Sequence, residues 1–218
     1  MNAASTELAG EAVLLLAQKA LYWPRERMLV IADIHFGKAA SFRALGIPVP
    51  RGTTTENLEA LDALLAAHDV RHVLFLGDFL HAKAAHASAT VQAMLAWRAR
   101  HPDLVLTLVR GNHDKHAGDP AAQLGLALVD EPYVLGPFAF CHHPDLACDG
   151  YVLAGHVHPV YRLRAGRESM RLPCFLVGPR RAILPSFGSF TGGHEIEPAA
   201  EDRLYLAVEE AIFPLENK

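Results

Sequence analysis

The chain reads as an α/β fold in which two packed, mixed β-sheets are flanked by helices. Three observations predict this. Short apolar runs recur along the chain, helix-length segments separate the first of them, and in the second half the intervals shorten until helical stretches nearly vanish. Strand and helix in alternation imply βαβ crossovers and a mainly parallel sheet, whereas closely spaced strands return antiparallel. With 218 residues, 51% hydrophobic and 20% charged, the chain can bury a sizeable core as a soluble globular protein. No repeat, low-complexity tract or linker divides it, so one domain over 1–218 is expected.

In chain order, the apolar run 12–17 is a first strand. It is too short for a membrane span, is flanked by Glu11 and Lys19, and lacks a basic leader. Runs 28–32, 72–76 and 104–109 form the parallel part, with crossover helices over 54–68 and 86–100. Strands follow at 138–141 and 151–154, then 160–163, 170–177, 182–184 and 204–208 as antiparallel strands. The three cysteines, Cys141, Cys148 and Cys174, are too few and too irregular for a disulfide framework and point to the reducing cytoplasm.

A formal net charge of -4 and a pI near 6.3 exclude a molecule that attracts nucleic acid as a whole, so any such binding is local. Charge is segregated. Residues 162–181 hold six arginines against Glu168, and residues 195–216 hold seven acids against Arg203. A solvated hairpin with an acidic tail and a polyanion-facing surface fit this equally.

Five strands, beginning with 28–32, end in polar residues of metal-ligand type. Asp33-Ile34-His35 follows the first, Gly77-Asp78 the next, Gly111-Asn112-His113-Asp114 the third, Cys141-His142-His143 the fourth and Gly155-His156-Val157-His158 the fifth. Carboxyl ends of parallel strands lie along one edge, so these residues can converge in one crevice. Asp33 and His35, like His156 and His158, are two apart, and in extended chain each pair points one way toward a single centre. The glycines before the polar groups let chain and ligand approach closely. Carboxylate, imidazole and amide oxygen without thiolate suit Mn²⁺, Fe or Zn²⁺.

In this order the motifs resemble the calcineurin-like metallophosphoesterase superfamily. The resemblance implies a four-layer αββα sandwich with two divalent transition metal ions, Mn²⁺ first among them, that hydrolyses phosphoesters. One ion would take Asp33, His35, Asp78 and His158, and the other Asp78, Asn112, His142 and His156, so that Asp78 bridges. The second motif departs from the Ser/Thr phosphatase branch, since Gly77-Asp78-Phe79-Leu80-His81 lacks that branch's arginine. The stretches 33–52 and 184–193 are instead similar to the bacterial ligase-associated DNA damage response endonucleases, often written PdeM. That likeness implies metal-dependent endonuclease action on DNA, in functional association with a DNA ligase, a helicase and a nuclease.

Two cations roughly 3.5 to 4 Å apart would hold the phosphate oxygens and offset developing charge. His113, beside Asn112 but outside the ligand set, can act as general acid, and Asp114 either orients its ring or stabilises the turn. Lys38, Arg43, Arg162 and Arg164 are candidates for contacts to a nucleic-acid backbone. His143 is expected beside the ligands or in a substrate groove. His81, His86, His116 and His194 read as loop residues, with His81 a candidate for the groove. A small-molecule phosphodiesterase or phosphatase would use the same metals. A non-catalytic phosphoesterase-fold scaffold would have no reason to keep every ligand. No membrane partner is expected, and the oligomeric state stays open, a homodimer included.

Overall fold

In a computed structural model, which describes residues 2–49, 52–166, 168–189 and 191–215, the strands divide between two sheets in chain order. The first holds β1 (Ala3–Leu8), β2 (Glu11–Leu16), β3 (Ala20–Trp23), β4 (Met28–Ala32), β5 (His72–Leu76), β6 (Val105–Val109) and β7 (Leu126–Val129), in that spatial order. β1 to β4 are joined antiparallel, and β4 to β7 run parallel. The second sheet holds β8 (Tyr133–Leu135), β9 (Phe138–Cys141), β10 (Tyr151–Ala154), β11 (Pro159–Ala165), β12 (Glu168–Val177), β13 (Arg181–Ile183), β14 (His194–Glu195), β15 (Arg203–Val208) and β16 (Ala211–Leu215). The helices are α1 (Lys38–Ala44), α2 (Thr53–Ala67), α3 (Ser88–Arg100) and α4 (Asn112–Ala117).

The run 28–32 looks uniformly apolar because both of its faces are covered. Leu29 and Ile31 face the helix layer with Leu58, Leu61 and Leu64 of α2 and Met94 and Trp97 of α3. Met28, Val30 and Ala32 face inward, against Phe138, Phe140, Leu153, Phe175 and Val177 of the second sheet. Trp23 sits fully buried in this interior, edge-on to Phe138 at 4.8 Å, its indole N–H on Glu11 Oε2 at 2.9 Å. Truncating a buried aromatic such as Phe138 to Ala costs about 3–5 kcal/mol.

The two-sheet α/β reading holds, with the helices concentrated on the first sheet. On the outer face of the second, Cys174, Leu176, Ile183, Leu204 and Leu206 are covered by strand and loop residues such as Val157, Tyr161 and Ile196. The expected first strand is the second, since a hairpin partner, β1, precedes it. The run 182–184 was expected to be antiparallel; β13 pairs parallel with β10 and antiparallel with β12. No helix among the described residues is long and apolar enough to cross a membrane.

Candidate metal centre

β4, β5 and β6 end at the same rim as β9 and β10 of the facing sheet. The crevice is therefore made by two sheets, where one parallel sheet edge was expected. Nor is the chain extended there. Asp33, His35, Asp78, His156 and His158 have φ of 53, 50, 50, 68 and 49°, in the left-handed region. Such a conformation costs a non-glycine residue about 1–3 kcal/mol and is kept only where the surroundings over-determine it. Spacing by two thus works through tight left-handed turns. The two pairs also behave differently: Asp33 and His35 share one cluster, while His158 joins them and His156 turns to another.

In the first cluster, one ligand atom each from Asp33, His35, Asp78 and His158 lie within 4.8 Å of one another. Asp33 Oδ2 accepts the His156 amide at 2.9 Å, but Asp33 Oδ1, both ring nitrogens of His35 and His158 Nε2 are buried without a hydrogen-bond partner. His158 Nδ1–H donates to Gly192 O at 3.2 Å, which leaves Nε2 as a lone pair 3.3 Å from Asp33 Oδ1. Acceptors buried against acceptors are unfavourable until a cation lies between them.

The second cluster repeats the logic. His142, fully buried, donates from Nδ1 to Leu76 O at 3.1 Å, so its Nε2 is a bare acceptor. That atom faces Asn112 Oδ1 at 2.8 Å, His156 Nδ1 at 3.0 Å and Asp78 Oδ1 at 3.5 Å. The other oxygen of Asp78 lies 3.7 Å from His35 Nε2, so one carboxylate reaches both clusters. A Cβ on Gly77, Gly111 or Gly155 would collide with the His142 ring, the Asp78 carboxylate or the Asp33 carboxylate, respectively. Burial lowers the pKa of His35, His142 and His156, and so favours the neutral imidazoles that bind metals. Burial, then Asp33, raises that of Asp78.

His113 lies on the rim. Its Nδ1–H donates to His81 O at 2.7 Å, its amide donates to Asp78 Oδ1 at 3.0 Å, and its Nε2 stays open, 3.8 Å from Asp78 Oδ2. The orienting role considered for Asp114 is not what the structure has. Its carboxylate accepts the amides of Leu80 and Gly111, both at 3.0 Å, and so stabilises the turn into α4. His81 is half-buried and stacked on His113 at 5.0 Å, with burial lowering its pKa to about 4. It belongs to the crevice, whereas the other three expected loop histidines are exposed on short elements: His86 on a 3-10 turn, His116 on α4 and His194 on β14.

His143 rests against His142 and His156, and its Nδ1–H donates to Glu131 Oε1 at 2.6 Å. Glu131 Oε2 also accepts the amides of His142 and His143, so this residue, which no sequence motif marked, clamps the turn after β9. Lys38 lies within electrostatic reach of Asp78 and Asp33. Arg43 is exposed at the end of α1. Arg162 and Arg164 lie on β11, away from the clusters, and Arg167 falls outside the described residues.

Among families, Calcineurin-like phosphoesterase matches residues 26–170. The chain belongs to this calcineurin-like phosphoesterase family. Among solved structures, that of Pseudomonas putida nuclease MPE is 49% identical over 98% of this chain and all of that one, with a TM-score of 0.88. A Vps29 double mutant from Entamoeba histolytica is 15% identical over 86% of this chain and 96% of that one, with a TM-score of 0.35. No curated protein matches. As a calcineurin-like phosphoesterase, the chain is a metal-dependent phosphoesterase, and its His/Asp clusters fit divalent metal.

Proposed function

We propose that this phosphoesterase uses two divalent cations, Mn²⁺ first among them, to hydrolyse phosphodiester bonds of DNA, as a nuclease of a ligase-associated repair system in the cytoplasm. The observation that carries this reading is the likeness, at 49% identity over 98% of the chain, to a protein described as a nuclease. The converging donors support the two-cation part: Asp33, His35, Asp78 and His158 for one ion, and Asp78, Asn112, His142 and His156 for the other.

When bound, the cations supply charge that polarises phosphate oxygens and activates water for in-line displacement. The chain's own groups do the rest. Asp78, with one oxygen toward each donor set, fixes how far apart the sets lie. His113, fixed through its Nδ1–H, presents Nε2 to the crevice and in its protonated form gives a proton to the departing sugar oxygen. Lys38 neutralises the phosphate that approaches, and His81 and His143 line the path of the strand. Arg43, Arg162 and Arg164 are candidates for phosphates further along.

The test is metal content measured beside hydrolysis of bis-p-nitrophenyl phosphate, single-stranded DNA and duplex DNA, with and without chelator. About two ions per chain and chelator-sensitive cleavage of DNA are expected. Turnover of the small diester alone would move the reading to small-molecule substrates.

A further inference from the structure

Three consecutive carbonyls run into the first donor set, and all three are held by partners far away in sequence. The Phe187 amide donates to Ala32 O at 2.8 Å; Ser186 Oγ at 2.8 Å and the Gly188 amide at 3.3 Å donate to Asp33 O; and Asn57 Nδ2 donates to Ile34 O at 3.1 Å. Asn57 Oδ1 in turn accepts the Ser189 amide at 3.0 Å, so one side chain ties α2 to both the turn and the loop. Lys19 Nζ holds that loop from the other side through Phe187 O at 2.9 Å. The fit is close: a Cβ on Gly188 would lie 2.8 Å from Ile34 O.

Asn57 is 5% exposed and neighbours Leu58 on the core-facing side of α2. A buried amide there is costly unless both ends are bonded, and both are. What they secure is the stretch that runs left-handed at Asp33 and at His35.

We infer that Asn57, assisted by Ser186, is a positioning residue that holds the Asp33-Ile34-His35 turn in the conformation that aims both ligands at one cation. This rests on the two-cation reading above. Neither residue bonds to the second donor set, where Leu76 O orients His142. The effect therefore falls mainly on the first site, which is linked to the second through the His156 amide on Asp33 Oδ2.

Calorimetric titration of the metal-free chain with Mn²⁺ tests it, on wild type, Asn57→Leu and Ser186→Ala, with circular dichroism melts of each. Partners behind metal ligands typically contribute 10- to 100-fold in affinity, so Asn57→Leu should weaken one of two binding events by about that factor and leave the other nearly unchanged. Electron paramagnetic resonance at two equivalents should then report an isolated ion in place of a coupled pair. Ser186→Ala, which leaves the Gly188 amide on Asp33 O and removes only an oxygen, should weaken the same event less. It keeps the test decisive if Asn57→Leu fails to fold. Unchanged affinities in the variants, or both events weakened alike with a lower melting temperature, overturn the positioning role. A wild-type chain that takes up only one ion sinks the two-cation reading, and this inference with it.

Discussion

His35 and Arg162 both bring hydrogen-bonding nitrogen to the protein, in opposite settings. In the crevice, His35 is 4% exposed with neither ring nitrogen bonded, and Asp33 Oδ1 and His158 Nε2 are buried there without a partner as well. On the β11–β12 hairpin, Arg162 is exposed, and its guanidinium meets both oxygens of Glu195 at 2.8 to 3.0 Å. Charge on the hairpin is already answered by the chain itself, whereas several buried polar atoms of the crevice have no partner among the described residues. Since a buried unsatisfied group costs about 1–3 kcal/mol, a set of them persists only where a ligand completes it. The difference separates a site from a charged surface better than residue type does.

The largest effect follows from Asp78, whose two oxygens face the two clusters. Asp78→Ala should deplete both ions and lower hydrolysis of any diester by roughly 10³-fold or more, since several kcal/mol of charge stabilisation go with the metals. Metal analysis checks it directly. Full occupancy in the variant would break the contrast at its centre. Asn112→Ala, which touches only the second cluster, should weaken mainly one ion.

His113 sharpens the comparison at the rim of the crevice. General acids contribute about 10²- to 10⁴-fold, but only where the leaving group needs a proton. A sugar alkoxide needs one and p-nitrophenolate hardly does. His113→Ala should therefore depress DNA cleavage by that factor, spare bis-p-nitrophenyl phosphate and leave metal content near wild type. Equal loss on both substrates with metal in place would make His113 a stabiliser of phosphoryl charge.

That these residues converge was legible because carboxylate, imidazole and amide recur directly after buried strands. The means of convergence was not legible. Left-handed φ at Asp33 and His35 depends on partners at 57, 78 and 186–188, and nothing local announces it. Glu131 gave no signal either, standing outside every motif and acting through the turn after β9. Asn57 offered a faint one, as a polar residue on a helix side otherwise marked by Leu58, Leu61 and Leu64. Charge pairing on the hairpin escaped because Arg162 and Glu195 are 33 residues apart.

Lys19 lies between the two extremes, a cation largely buried on a single carbonyl behind the crevice. Burial lowers its pKa from 10.5 to about 8. The unfolded chain holds that proton more tightly, so stability rises with pH between about 8 and 10.5 and is flat in this respect below 8. Measured against Lys19→Met, wild type should gain up to ~3 kcal/mol across that window in urea melts, less whatever solvent relieves. A difference independent of pH would mean that the ammonium is hydrated and that Lys19 resembles the hairpin cations.

The smallest effect is expected on the hairpin itself. Arg162 stands four residues beyond His158 on an extended strand, roughly 13 Å along it, too far for the phosphate being cleaved. It could touch only a flanking one, and to do so it would have to leave Glu195. Arg164 is exposed and acts on Glu195 only through space, so it is the better placed of the two for a phosphate. If so, Arg164→Ser should reduce the slope of log affinity for single-stranded DNA against log salt by about 1, and Arg162→Ser by less, with turnover of the small diester unchanged in both. If both slopes stay at the wild-type value, the hairpin is solvated surface and the crevice alone holds the strand. If Arg162→Ser flattens the slope as much as Arg164→Ser, the ion pair opens to DNA, and pairing on the free protein is no guide to what a polyanion can recruit.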